Sequence, residues 1–204
     1  MKRLRVPSVW LLDDDPELCA EYQTDKTLKT GLTILYYILL YAYFSSNGIT
    51  SVKLITWLLA KENKSASDMT ESRDILYKCF GNYFDNFHRL TASKFKKTGL
   101  YKWASMSVAN WNYSLRLFEA FNDEYFKRYR KMHPFNRHLE FFNYTPPNLP
   151  FKEEKDNFPI SDIPIRYRKD LVIESHRNYF MSKIVDPHLA YERTSIPEWI
   201  ELKI

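Results

Sequence analysis

The stretch LYKWASMSVANWNYSLRLFEAFNDEYFKRYRKM, Leu100–Met132, decides the fold. Within it Trp103, Met106, Asn110, Tyr113, Leu117, Phe121, Glu124, Tyr125 and Arg128 recur at spacings of three and four, one face of a helix that Pro134 ends. An aromatic stripe on so long a helix needs an apolar partner, and residues Thr27 to Phe44 read as a second, strongly apolar helix. Its most apolar run begins at Gly31 and is too short to span a membrane, which takes about 20 residues. It reads instead as a buried core helix. The expectation is a single all-α domain over residues 1–204, with the central helix packed on the Thr27–Phe44 helix.

The flanking sequence completes the outline. Val6 to Leu12 reads as a short extended piece, and Asp15-Pro16 as a helix start, with the acid as cap and proline at the first helical position. That helix is expected to run to about Thr24, and the next to stop at Ser45-Ser46-Asn47-Gly48. A short helix over Ser51–Ala60, a polar link over Lys61–Thr70 and a helix to about Arg89 follow. From Tyr144 to Pro164, five prolines predict an irregular segment wrapped over the surface of the C-terminal third. Asp170 to Lys183 reads as the last helix, before a tail with Pro197 and Trp199.

Composition excludes several classes. Aromatic residues make up 17% of the 204 and hydrophobic residues 45%, enough for a packed core and too much for general disorder. Only 4 glycines are present and neither GxGxxG nor GxxxxGK[ST] occurs, which argues against glycine-cradled nucleotide folds. Cys19 and Cys79 support neither a zinc site nor a disulfide framework, so a reducing, intracellular setting is expected, and no signal peptide is read at Met1–Arg5. No metal and no cofactor is expected.

Charge is unevenly placed. Residues 85–140 carry 11 basic and 5 acidic side chains, whereas residues 1–84 are balanced at 10 and 10. The net charge of +5 therefore belongs to the middle of the chain, as either a phosphate-facing surface or a solvated helix face. Lys94, Lys96, Lys97, Lys102, Arg116, Lys127, Arg130 and Lys131 are the candidate phosphate contacts there, and Arg166, Arg168, His176 and Arg177 form a second basic group. Trp103, Trp111, Tyr113 and Tyr125 are either core residues or platforms for unpaired bases.

Acids gather at Asp13, Asp14, Asp15, Glu17, Glu21 and Asp25. Capping accounts for Asp15 and Glu17, which leaves Glu21 and Asp25, four apart and on one face if the helix continues, as candidate general acids. Lys26 beside them is a candidate imine-forming amine or an ordinary surface lysine. Glu124 and Arg128 stand at i, i+4 and either pair on the helix surface or form a buried pair in an aromatic wall.

Three stretches resemble phage and bacterial proteins related to the pyrimidine-dimer DNA glycosylases of the endonuclease V type. VWLLDDDPELCAEYQTDKTLK is similar to their opening segment, and WASMSVANWNYSLRLFEAFNDEYFKRYRKMH to their central helix through Trp103, Asn110, Glu124, Tyr125 and Arg128. SDIPIRYRKDLVIESHRNYFMSKI is similar to their closing segment through Arg177, Tyr179 and Lys183. The resemblance covers about half the chain. It implies a double-stranded DNA partner gripped through phosphates, a damaged or modified base flipped from the stack, and cleavage of the N-glycosidic bond. On that reading Glu21, Asp25 and Lys26 are catalytic. Trp103, Asn110, Tyr113, Glu124, Arg128, Lys96, Lys97, Lys102, Arg168, His176, Arg177 and Lys183 contact substrate or DNA. The sequence departs from the family at Lys2, where a small residue supplies the nucleophilic amine, at Thr24 in place of an acid, at Ile34, and at Thr98-Gly99 in place of His-Pro. Those departures imply the alternative of a catalytically inactive relative that binds DNA or a host protein, with a base- or nucleotide-modifying enzyme as a third reading. No membrane partner is expected.

Overall fold

Asp15 opens the first helix in the computed structural model, which describes residues 9–46, 99–143, 148–160 and 163–200. Its carboxylate accepts from the backbone N–H groups of Glu17 and Leu18 at 2.8 and 3.1 Å, with Pro16 in the first turn of α1 (Pro16–Glu21). The bond from the Leu18 amide is the main reason the Asp15 carboxyl is held below the usual carboxylate range.

α1 is shorter than its sequence predicts, because two residues beyond it are committed elsewhere. The Gln23 side chain donates to the Trp10 and Cys19 carbonyls, and Thr24 Oγ1 accepts from the Thr27 amide at 3.1 Å. A second helix, α2 (Asp25–Ser46), begins at once. Glu21 and Asp25 therefore stand on different helices, and the expected shared face does not form.

The long central helix is two helices. α3 (Gly99–Ala104) stops before Ser105, and Ser107 caps α4 (Val108–Tyr129) by accepting from the Asn110 amide at 3.2 Å. Ser105 Oγ turns back onto the Tyr101 and Lys102 carbonyls, so two serines compete with the helix ladder where the apolar spacing alone shows no interruption. At the far end Arg130 takes a left-handed conformation (φ 53°) and donates to the Phe126 carbonyl at 2.8 Å, ending α4 before Pro134. Pro134 instead begins a 3-10 turn, Pro134–His138, leading into α5 (Leu139–Phe142). Residues 148–160 are irregular. A 3-10 turn (Ile165–Tyr167), α6 (Val172–Met181) and α7 (Pro187–Ala190) complete the described chain.

The molecule is all-α, and no strand occurs among the described residues. The expected packing of the central helix on the apolar helix is present: Leu28, Leu32, Leu35 and Leu39 of α2 meet Leu117, Phe118 and Phe121 of α4 in one buried core. Each such side chain contributes roughly 1.5–3 kcal/mol on burial. Gly31 lets the helices close: a Cβ there would stand 2.5 Å from the Phe121 ring. A smaller cluster of Leu12, Phe180, Tyr191 and Ile200, flanked by Trp10, Tyr22 and Trp199, fixes α6 and the C-terminal segment onto residues 10–12. No described helix is long and apolar enough to cross a membrane. The elements expected over Ser51–Ala60, Lys61–Thr70 and on to Arg89, the start of the piece at Val6, and Cys79, Lys94, Lys96 and Lys97 lie outside the described residues.

Candidate functional site

The i, i+4 pair on α4 is buried. Arg128 Nε donates to Glu124 Oε1 at 2.6 Å, and the two residues are 8% and 6% exposed. The rest of the guanidinium reaches the junction of α1 and α2. Nη1 donates to the Gln23 carbonyl at 2.8 Å and to Asp25 Oδ1 at 3.1 Å. Nη2 donates to the Glu21 carbonyl at 2.8 Å and makes a long contact of 3.5 Å with the Ala20 carbonyl. An arginine has five N–H donors, and here every one meets a protein acceptor. The carbonyls of Ala20 and Glu21 belong to the last turn of α1, whose helical ladder leaves them open and whose dipole favours a cation. Arg128 thus fastens three helices together.

The same junction holds the expected catalytic residues. Asp25 is shared between Arg128 and a longer approach from Arg193 at 3.8 Å. Glu21 and Lys26 are exposed side chains, and Glu21 enters the junction only through its backbone carbonyl. Glu124 has a second, looser neighbour in Lys127 at 3.6 Å.

Trp103 and Asn110 converge on a different target. Trp103 Nε1 donates to the Asp156 carbonyl at 3.0 Å. Asn110 Nδ2 donates to the Trp103 carbonyl at 2.8 Å and to the Asp156 carboxylate at 2.9 Å, while its Oδ1 accepts from the Asp156 amide at 2.8 Å. Asn110 is wholly buried with both ends of its amide used, so this pair clamps the irregular segment onto α3 and α4. Lys152 and Asn110, in that order, hold the Asp156 carboxyl below its ordinary value. Tyr113 is buried against Trp103 and Phe158, and its hydroxyl donates to the Asp14 carbonyl at 3.1 Å. Burial pushes its pKa far upward.

The acids of residues 13–15 are each engaged separately. Asp13 pairs with Arg177 at 2.7 Å, Asp14 with Lys155 at 2.8 Å, and Asp15 caps α1. Among the described residues no three His, Cys, Asp or Glu side chains are gathered to hold a metal ion. Arg177 also donates to the Leu12 carbonyl at 2.7 Å and lies over the Tyr22 and Trp199 rings. His176, expected in the second basic group and among the DNA contacts, is instead 4% exposed; Nδ1 accepts from the Leu11 amide at 3.4 Å, and burial pulls its pKa down to about 4. It is a neutral core imidazole at pH 7, since an Nδ1 that accepts carries no proton. Lys102, Arg168 and Lys183 are exposed, with Lys183 over Tyr179 at 4.9 Å and Arg168 Nε bonded to the Ile163 carbonyl at 2.9 Å.

The basic middle does not form an uninterrupted stripe on α4. Its open face runs Asn112, Arg116, Glu119, Asp123, Lys127 and Arg130, so two acids separate Arg116 from the cations at the C-terminal end. Gln23 and Asp156, which organise the two polar centres, were not singled out from sequence. Asp156 lies 46 residues from Asn110 in an irregular segment, and no local pattern marks it.

Compared with protein-family models, curated proteins and solved structures, the chain finds no match in any of the three.

Proposed function

We propose that this chain is a DNA-binding protein in which the residues resembling a glycosylase centre serve as scaffold, and that it grips duplex phosphates without cleaving the N-glycosidic bond. The observation that carries the reading is the saturation of Arg128. Its donors are spent on Glu124, Asp25 and the end of α1, so none is left to bind a flipped nucleotide. The departure at Thr24 supports the same reading, because the acid matching the family's is absent there. Exposed Lys102, Arg116, Lys127, Arg130 and Lys131 supply cations for phosphate contact.

The test is retention and base release measured together, on duplexes carrying pyrimidine dimers, alkylated bases or modified pyrimidines. Binding with no abasic product is the expected result. Abasic product that disappears in a Glu21→Gln, Asp25→Asn, Lys26→Ala variant would replace this reading with that of an active glycosylase. Failure to retain any duplex at low salt would remove DNA as the partner.

A further inference from the structure

Beside the Arg128 junction, two cations from separate segments and a second aromatic ring meet around one tyrosine ring. Lys29 Nζ of α2 lies 4.4 Å from the centroid of the Tyr129 ring, at the end of α4, and the Arg193 guanidinium of the C-terminal segment lies 5.1 Å from it. Tyr125 stacks on the same ring at 4.6 Å with planes tilted by 35°. The Tyr129 hydroxyl is buried and has no hydrogen-bond partner among the described residues. A buried hydroxyl left unpaired costs about 1–3 kcal/mol, so natural structures fill such positions with water, an ion or a ligand.

The two cations over this ring outnumber the single nearby Asp25 and favour an anion. Lys29 is exposed and has no carboxylate within ion-pair distance among the described residues, while Arg193 has there only the 3.8 Å approach to Asp25 and keeps a 52% exposed side chain. Asp25, the acid nearest the ring, shares Arg128 with Glu124, at 3.1 and 2.6 Å. Lys26, also exposed, stands three residues before Lys29 on α2. We propose that Lys29, Arg193 and the Tyr129 hydroxyl form a phosphate-binding site. Two cations and a neutral hydroxyl donor suit a group with several acceptor oxygens and more than one negative charge, which a single carboxylate does not offer. Arg193 lies over the ring with a 52% exposed side chain, open to a phosphate from the solvent side.

The phosphate comes either from a nucleic-acid backbone or from a free phosphate or monoester. Only the first source rests on the DNA-binding reading above. The experiment is calorimetric titration with inorganic phosphate against chloride and acetate at matched ionic strength, beside duplex binding without terminal phosphates. It uses the full chain, Lys29→Gln/Arg193→Gln and Tyr129→Phe. Saturable phosphate binding, weakened at least tenfold by the double variant and several-fold by Tyr129→Phe, supports a free-phosphate site. Tenfold weaker duplex binding in the double variant, with a smaller loss in Tyr129→Phe and no saturable inorganic phosphate, supports a backbone phosphate. Acetate that competes as well as phosphate would overturn the assignment. So would phosphate and duplex binding that both variants leave unchanged, even where the chain binds DNA elsewhere, or the absence of binding to either probe.

Discussion

Replacing Arg128 by Met removes a guanidinium from a buried junction while keeping a side chain of similar length. The loss is large because of what stays behind. Glu124 remains 6% exposed, with only the 3.6 Å contact to Lys127, and the Gln23 and Glu21 carbonyls lose bonds of 2.8 Å each. Removing one partner of a buried ion pair costs about 3–5 kcal/mol. Against a total stability of about 5–15 kcal/mol that is a major fraction. With a urea dependence of about 2 kcal/mol per molar, the midpoint should fall by about 2 M, read by circular dichroism at 25 °C. Glu124→Leu in the Arg128→Met background should cost much less than Glu124→Leu alone, giving a coupling of about 1–3 kcal/mol. An Arg128→Met protein within about 1 kcal/mol of the parent but with DNA affinity reduced more than tenfold would refute the scaffold role and make Arg128 a ligand contact.

Further expectations follow from other contacts. Gly31→Ala gains about 1 kcal/mol of helix propensity but drives a methyl to 2.5 Å from the wholly buried Phe121 ring, so net destabilisation of about 1–2 kcal/mol is expected on chemical denaturation; a more stable variant would mean the helices separate freely. Asn110→Ala leaves the Asp156 amide and Trp103 carbonyl unpaired, predicting a loss of about 2–3 kcal/mol and early protease cleavage within residues 148–160; unchanged cleavage would show that the clamp does not hold that segment. Burial pushes the Cys19 thiol up to about 11, so it should react with a thiol reagent only as fast as the chain opens, and rapid labelling of the native protein at Cys19, read by mass spectrometry, would contradict its packing. His176 carries its proton more weakly folded, at about 4, than in an unfolded chain, at about 6.5. The unfolded state therefore binds more protons as pH falls, and stability should drop from about pH 6.5 down to about pH 4. His176→Asn should flatten part of that slope, while an unchanged profile would assign it to His133 and His138, which burial also lowers to about 4.

Much of the fold was legible because apolar spacing and caps are local. Asp15-Pro16 marked α1, and the apolar run after Thr27 marked a core helix that meets α4 where expected. The break at Ser105–Ser107 was not legible from spacing, since the apolar positions keep their period across it and only the serine hydroxyls redirect the backbone. The candidate site divides in the same way. Glu124 and Arg128 could be paired from sequence, but their burial and the capture of the α1 carbonyls depend on contacts more than 100 residues apart. His176 gave no local sign of burial, because the cover is supplied by the segment at Leu11. Lys29 and Arg193 stand more than 160 residues apart with no local pattern linking them, and only folding places both around Tyr129.

The chain is proposed to hold duplex DNA through phosphates without cleaving the N-glycosidic bond. The most direct test of that proposal is duplex affinity over a salt series, with abasic product assayed in the same samples. Log affinity is expected to fall linearly with log salt, by about 0.9 for each phosphate neutralised, with no product at saturation. Affinity indifferent to salt, no binding at low salt, or abasic product accumulating with time would contradict it.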